Sequence, residues 1–360
     1  MIRSATPFVL IATVALSACA VGDAPRDTIP ATPPGNTGAS SSGSSGLPFG
    51  FPTESLLRAP SRVDCTLSDG SRSACVQLVV GPAPRSASIG PWCPRNISDG
   101  PDVSGIWLEG GRVYDADGEF IQNLSSFYDD PGFQMFDPAT GKINVTDTKT
   151  SCEAAARPDV DPEYQNHCVE CEVSYLPSDA VQVFVIPATP MRASAPVQLG
   201  RNPAGLSFRG VRLDAPAPVD AILSAHTLAP FDDCGGHVNT AVGYHQHAVR
   251  DCEAGAAHGS GHGRVIGLAL DGFAIFETRL ADGSLPQDID RCFGHASAGI
   301  DYHYHAGAEG ANQILGCHAG PTGCALSDES ATCDATQTAR RGPPGGRGGE
   351  RPPRPQRPPR

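Results

Sequence analysis

Histidine is the residue with the most chemistry to offer in this chain, and its spacing is patterned. Eight of the eleven histidines fall between positions 237 and 305. The sequence Tyr302-His303-Tyr304-His305 alternates two ring types. On a β-strand, residues i and i+2 share a face and lie ~6.6 Å apart, so the two imidazoles point one way and the two phenols the other. The run Cys292-Phe293-Gly294-His295 precedes it by six residues, and Cys234-Gly235-Gly236-His237 precedes Tyr244-His245-Gln246-His247 by the same interval. Both stretches obey C-x2-H-x6-Y-H-x-H, at an offset of 58 residues (237 to 295). Such a repeat predicts two half-sites from an internal duplication. Imidazole nitrogen suits zinc, copper, nickel and iron. The candidate metal ligands are therefore His237, His245, His247, His295, His303 and His305. If the two Y-H-x-H strands pair or face each other, His245, His247, His303 and His305 converge on one ion.

Copper or zinc is the expected ion. A tetrahedral histidine set with an open position is a catalytic zinc pattern, and a planar set favours Cu(II). Asp233, Asp271 and Asp301 are the nearest carboxylates and, with Tyr244 and Tyr302, the candidates to orient the rings from outside the ligand set. The alternative is a surface or binding module in which the histidines form a structural hydrogen-bond network with tyrosine and aspartate. His258 and His262 lie among glycines and read as loop. No G-x-S-x-G, H-E-x-x-H, P-loop or dinucleotide fingerprint occurs, so no catalytic role is assigned to any residue.

These motifs resemble the YHYH protein family, named for the tetrapeptide at 302–305. The resemblance rests on Asp233-Cys234-Gly235-Gly236-His237, Tyr244-His245-Gln246-His247, Ile266-Gly267-Leu268-Ala269-Leu270-Asp271-Gly272-Phe273-Ala274-Ile275-Phe276, Tyr302-His303-Tyr304-His305 and Ile314-Leu315-Gly316-Cys317. It covers roughly residues 200–320. Gln246 stands where a second tyrosine is expected, which touches a tyrosine role and not a histidine one. The resemblance implies a family and no particular activity.

The amino terminus reads as a processing signal over residues 1–18. Arg3 is followed by a short apolar run and then by Leu16-Ser17-Ala18-Cys19, which resembles a bacterial lipobox. Cys19 is the expected lipidation site, and the membrane, reached through that lipid, the expected partner. Ala20 after the cysteine points to the outer membrane of a cell envelope. Residues 19–60 are a Pro/Gly/Ser tether with too little apolar surface to offset chain entropy. Residues 336–360 form an Arg/Pro/Gly tail. The last 21 residues carry seven arginines and one glutamate, while the chain as a whole is at −13. The body is thus strongly acidic, which argues against nucleic acid as a partner.

Thirteen cysteines less Cys19 leave twelve, an even number that in an oxidising compartment reads as disulfides. The pairing is not readable from the sequence; Cys234 with Cys252 and Cys292 with Cys317 bracket the two histidine motifs, which makes local pairing one of the open arrangements. Cys168-Val169-Glu170-Cys171 reads as two cysteines in separate disulfides.

The elements that must carry these groups are short strands broken by turns. Residues 76–80, 105–108, 133–136, 142–145 and 181–186 are strand candidates. Residues 119–128 and 151–157 tolerate a helix. Residues 205–213 alternate as one half-exposed strand, and Asp271-Gly272 splits residues 264–276 into a hairpin. The expected fold class is mainly β, a disulfide-rich sandwich or barrel-like structure with few short helices. The expected division is an N-terminal β region at 61–190 and a motif-bearing domain at 191–335.

Overall fold

The computed structural model describes residues 50–85, 87–156, 160–253, 256–257, 261–297 and 299–340. The signal segment, Cys19, most of the tether, His258 and the tail from 341 lie outside the described residues. The N-terminal part supplies strands β1 (Ser61–Thr66) and β2 (Arg72–Val80), the hairpin β3 (Ile106–Glu109) and β4 (Arg112–Asp115), and β5 (Gln182–Pro187). The motif region supplies β6 (Gly205–Ser207), β7 (Arg212–Leu213), β8 (Gly236–Asn239), β9 (Gly243–Gln246), β10 (Ala256–Ala257), β11 (Arg264–Ala269), β12 (Ala274–Phe276), β13 (Gly294–Ser297) and β14 (Ile300–His305). A last strand, β15 (Cys324–Leu326), returns to the N-terminal part. Among the described residues no helix is long and apolar enough to cross a membrane.

Two sheets face each other, so the sandwich expectation holds and the barrel form does not. The four-stranded sheet runs β1-β2-β5-β15. The larger runs β13-β14-β12-β11-β6-β7-β9-β8, with β10 beside β11. The core between them joins Val76, Leu78, Val80, Phe184 and Ile186 of the first sheet to Leu206, Leu268, Ala274 and Phe276 of the second. Each of the large side chains in this set contributes ~1.5–3 kcal/mol by leaving water. A second core on the outer face holds Leu213, Ile266, Phe273, Ile275, Tyr302 and Tyr304. With a core on each face, β11 and β12 are almost wholly buried, as are β5, where Val183 and Val185 pack in a smaller core, and β9, where Tyr244 packs with Val238.

The large sheet has an internal two-fold. At its centre β6 and β11 run antiparallel with Leu206 opposite Leu268, Gly205 opposite Ala269 and Ser207 opposite Gly267. Moving outward, β7 pairs in parallel with β9 through Leu213 and Gln246, and β12 pairs in parallel with β14 through Ile275 and Tyr304. The outermost hairpins oppose His237 to His245 and His295 to His303. The duplication therefore covers four strands per half and not the histidine motifs alone. Five inter-strand steps separate β9 from β14, about 24 Å at ~4.8 Å each.

Two readings change with the structure. Residues 205–213 form a hairpin: Gly210, at φ 75°, donates its amide to the Ser207 carbonyl and turns the chain. The periodicity survives such a turn because both arms lie in one sheet. Residues 133–136 and 142–145 make only isolated bridges, Phe136 with Ile143 and Val145 with Cys168, since Asp137-Pro138 and the loop after it leave no ladder to extend. Helices at Gly118–Gln122, Leu124–Phe127 and Lys149–Ala155 fall close to the two tolerated stretches, and two further ones form at Val219–Ser224 and Ala335–Arg340.

All twelve described cysteines are paired, as 65–75, 93–168, 152–171, 234–252, 292–317 and 324–333. The two local pairs around the motifs form, and Cys168 and Cys171 enter separate bridges. No thiolate is left among the described residues to compete as a metal ligand.

Candidate metal centres

Each motif is held by an aspartate two residues before its cysteine. Asp232 Oδ1 accepts from the backbone N–H of Cys234 (3.1 Å) and Gly236 (3.0 Å) and from the Tyr244 hydroxyl (2.9 Å), while Oδ2 accepts from Gly90 N–H (3.1 Å). Asp290 repeats this with Cys292 (2.8 Å), Gly294 (3.2 Å) and Tyr302 (2.9 Å). The turn demands a left-handed residue, met by Gly235 at φ 82° and, at the matching place, by Phe293 at φ 71°. A Cβ on Gly236 would lie 2.5 Å from the Tyr244 hydroxyl, and one on Gly294 would collide with that of Tyr302. Glycine is therefore required where the phenol reaches the carboxylate. Burial pushes the Asp232 carboxyl up, against four hydrogen bonds that favour its charge, and pushes the Tyr244 and Tyr302 hydroxyls up as well.

With the tyrosines locked behind the sheet, the imidazoles project from its other face. Nearly every ring is fixed through Nδ1 to a backbone carbonyl. His245 uses Gly243 (3.0 Å), His247 uses Ala215 (2.6 Å), His295 uses Gln287 (3.1 Å), His303 uses Asp301 (2.8 Å) and His305 uses Glu277 (2.9 Å). The His237 ring lies beside the carbonyls of Ala229 and Pro230, which favour its charged form. A carbonyl only accepts, so Nδ1 carries the proton and Nε2 keeps its lone pair. The partners match across the two-fold, with Ala229 answering to Gln287 and Ala215 to Glu277.

Two clusters result. His237, His245 and His247 form one, and His262, His295, His303 and His305 the other; in each, one nitrogen per ring lies within 4.8 Å of the rest. Ring centroids are 4.8–5.1 Å apart in the first and 4.8–5.8 Å apart in the second. Two ~2.1 Å zinc–nitrogen bonds at a tetrahedral angle put the nitrogens ~3.4 Å apart and the ring centroids ~5 Å apart, the centroid spacing found here. In the second cluster the Nε2 atoms of His295 and His305 are buried with no hydrogen-bond partner among the described residues.

The clusters differ at two places. In the first, Asp214 stands beside His245 and His247, paired with Arg212 at 3.1 and 3.2 Å. Burial alone would raise its carboxyl; Arg212 and the facing rings outweigh that and hold it low. The matching position in the second half is Phe276, whose ring packs on His303 and His305. There the fourth imidazole, His262, comes from the loop before β11. The first cluster also faces a cavity of about 480 Å³ with a mostly apolar wall, whereas His262 and His295 of the second border one of about 590 Å³ walled mostly by polar residues.

The histidines of one motif thus meet each other and not those of the other motif. The pairing of β7 and β12 with the Y-H-x-H strands holds the two sets at opposite ends of the sheet. His262, a loop residue by its glycine neighbours, joins the second set. Asp233 and Asp301 are exposed; Asp301 contributes its carbonyl to His303, and the Asp233 carbonyl accepts from Arg250. Asp271 is fully buried and accepts from the Tyr304 hydroxyl (2.6 Å) and Gly320 N–H (3.0 Å), away from the rings. Tyr244 and Tyr302 reach Asp232 and Asp290 instead of imidazole. Where Tyr304 meets Asp271, the other half has Gln246, whose Nε2 donates to the Cys234 carbonyl (2.8 Å), and a buried ion pair of Arg209 with Glu253 at 3.5 Å. Asp232 and Asp290 are legible in the sequence: extended by two residues, both motifs read D-x-C-x-G-H.

Desolvation lowers the imidazole pKa of His237, His245 and His247 to about 3 and of His305 to about 4. A folded value below the unfolded ~6.5 means that the unfolded chain binds the extra protons between those limits. Stability is then full above pH 6.5 and falls as pH drops toward 3. Urea unfolding of the metal-free protein should show its midpoint falling between pH 6.5 and 4; a flat profile would mean the rings ionise freely in place.

Residues 183–285 match the family model described as YHYH protein, a range that spans the first motif and stops short of the second. No curated protein and no solved structure matches the chain. On the matched segment and the paired histidine hairpins that continue it, this chain carries a YHYH domain.

Proposed function

We propose that the domain binds two transition-metal ions, one in each half, and that it does so in a cell envelope. The observation that carries the reading is the orientation of the rings. A hydrogen-bond network among imidazoles needs an N–H pointing into the cluster. Here the Nδ1 protons of His245, His247, His295, His303 and His305 go to backbone carbonyls, so their Nε2 lone pairs face the clusters, that of His245 with the Asn239 side-chain amide 3.5 Å away. Lone pairs that converge at this spacing are satisfied by a cation, and the backbone carbonyls are the outer partners that fix a ligating histidine's tautomer. Neutral nitrogen donors without thiolate favour Zn(II) or Cu(II) over softer ions. The four-histidine set is a closed, structural type of site, and the three-histidine set leaves a position open.

The envelope setting is supported by the six disulfides. Lipidation at Cys19 would anchor the domain to the outer membrane, and Cys19→Ala should then move the protein from the membrane fraction to the soluble one. Titration of the metal-free protein with Cu(II), followed by electron paramagnetic resonance, tests the metal reading. Saturation at two equivalents is expected, one ion with four nitrogen donors and the other with three. Weak binding that never saturates, with copper held by oxygen donors alone, would overturn it.

A further inference from the structure

The two halves hold similar imidazole sets in different surroundings. The four-histidine cluster brings its own fourth nitrogen, from His262. The three-histidine cluster has no such residue beside it among the described residues, and it forms part of the wall of the ~480 Å³ cavity, within the size range of small-molecule sites. The remaining wall is mostly apolar, including Val169, Ala215, Pro216, Ala217, Pro218 and Ile222. Exposed Arg201 stands among the lining residues and places a positive charge at the mouth. A divalent ion on three neutral nitrogens carries two positive charges into this pocket. Asp214 offsets one of them but is engaged by Arg212. What the site lacks is one anionic donor attached to an apolar body.

We infer that the three-histidine site, with its metal, binds a small organic carboxylate: the carboxylate completes the metal's coordination and the hydrocarbon part fills the cavity. The inference rests on the metal reading above. It assigns the two halves different work: the four-histidine half fills its ion's coordination from its own rings, His262 and His295 bordering an open pocket walled mostly by polar residues, and the other half presents its ion to a ligand.

The test uses the full protein loaded with two equivalents of Co(II), whose visible bands report coordination number and geometry. Acetate, hexanoate and benzoate are the probes. Hexanoate is expected to change the bands of one of the two ions. Each buried methylene is worth about a factor of four, so with four more methylenes than acetate it should bind at least about tenfold more tightly. The response should vanish in His237→Ala, which disables only the cavity site, and persist in His295→Ala. Ala217→Phe, which fills the cavity without touching a ligand, should weaken hexanoate about tenfold or more while both ions remain bound. Two bound Co(II) ions whose bands no carboxylate moves would overturn the inference and leave the metal reading intact. Equal binding of hexanoate and acetate would overturn it in the same way. Protein that takes up no Co(II) would overturn both.

Discussion

Asp232→Ala should cost at least ~3 kcal/mol of stability, because it leaves four buried or half-buried donors without their acceptor at ~1–3 kcal/mol each. Those donors are the amides of Gly90, Cys234 and Gly236 and the Tyr244 hydroxyl. The neighbouring carboxylate gives the control. Asp233 is exposed and uses only its backbone carbonyl, on Arg250, which alanine retains. Asp233→Ala should unfold at nearly the wild-type urea concentration. If the two variants are equally stable, the aspartate two residues before the cysteine does not organise the motif. Asp290→Ala should follow Asp232→Ala, with a smaller loss, since it has no counterpart to the Gly90 contact and is half-exposed.

Metal should stabilise the fold strongly. An ion that binds only the native state adds about 2.7 kcal/mol at a hundred times its dissociation constant. Two such sites therefore contribute on the order of 5 kcal/mol together. Thermal unfolding in Zn(II) should then occur well above that in chelator, and the gap should about halve in His237→Ala or in His295→Ala. Because each set of rings ties β9 or β14 to carbonyls on a different part of the chain, Ala215 in one half and Glu277 in the other, the ion would tighten tertiary contacts at both ends of the sheet. A chelator-insensitive melting curve, with metal demonstrably present beforehand, would mean the ions sit on the surface.

The histidines, their alternation with tyrosine and their repetition are plain in the sequence, because a strand's two-residue period assigns faces without further information. That the cysteines form disulfides follows from their even number, but their pairing does not: Cys93 joins Cys168 across 75 residues with no local mark of it. What local pattern does not carry is which strands lie side by side. The Y-H-x-H strands attract the assumption that they meet, yet β7 and β12, short segments with no motif of their own, pair with them in parallel and keep them apart. Parallel pairing joins residues more than 25 positions apart, such as Ile275 and Tyr304, and leaves no mark in a window of ten. The same holds for His262, whose role depends on where its loop lands beside β14. Asp232 is a different case. Its signal, D-x-C-x-G-H in both halves, lies one step outside the motif, where the adjacent Asp233 masks it.

Elemental analysis of the oxidised protein, purified without a histidine tag and loaded then dialysed, tests the two-site claim most directly. Wild type should retain two equivalents of Zn or Cu, and His237→Ala and His295→Ala one each. One equivalent in wild type that disappears from both variants would mean a single shared site, and would contradict the separation of the clusters at the two ends of the sheet.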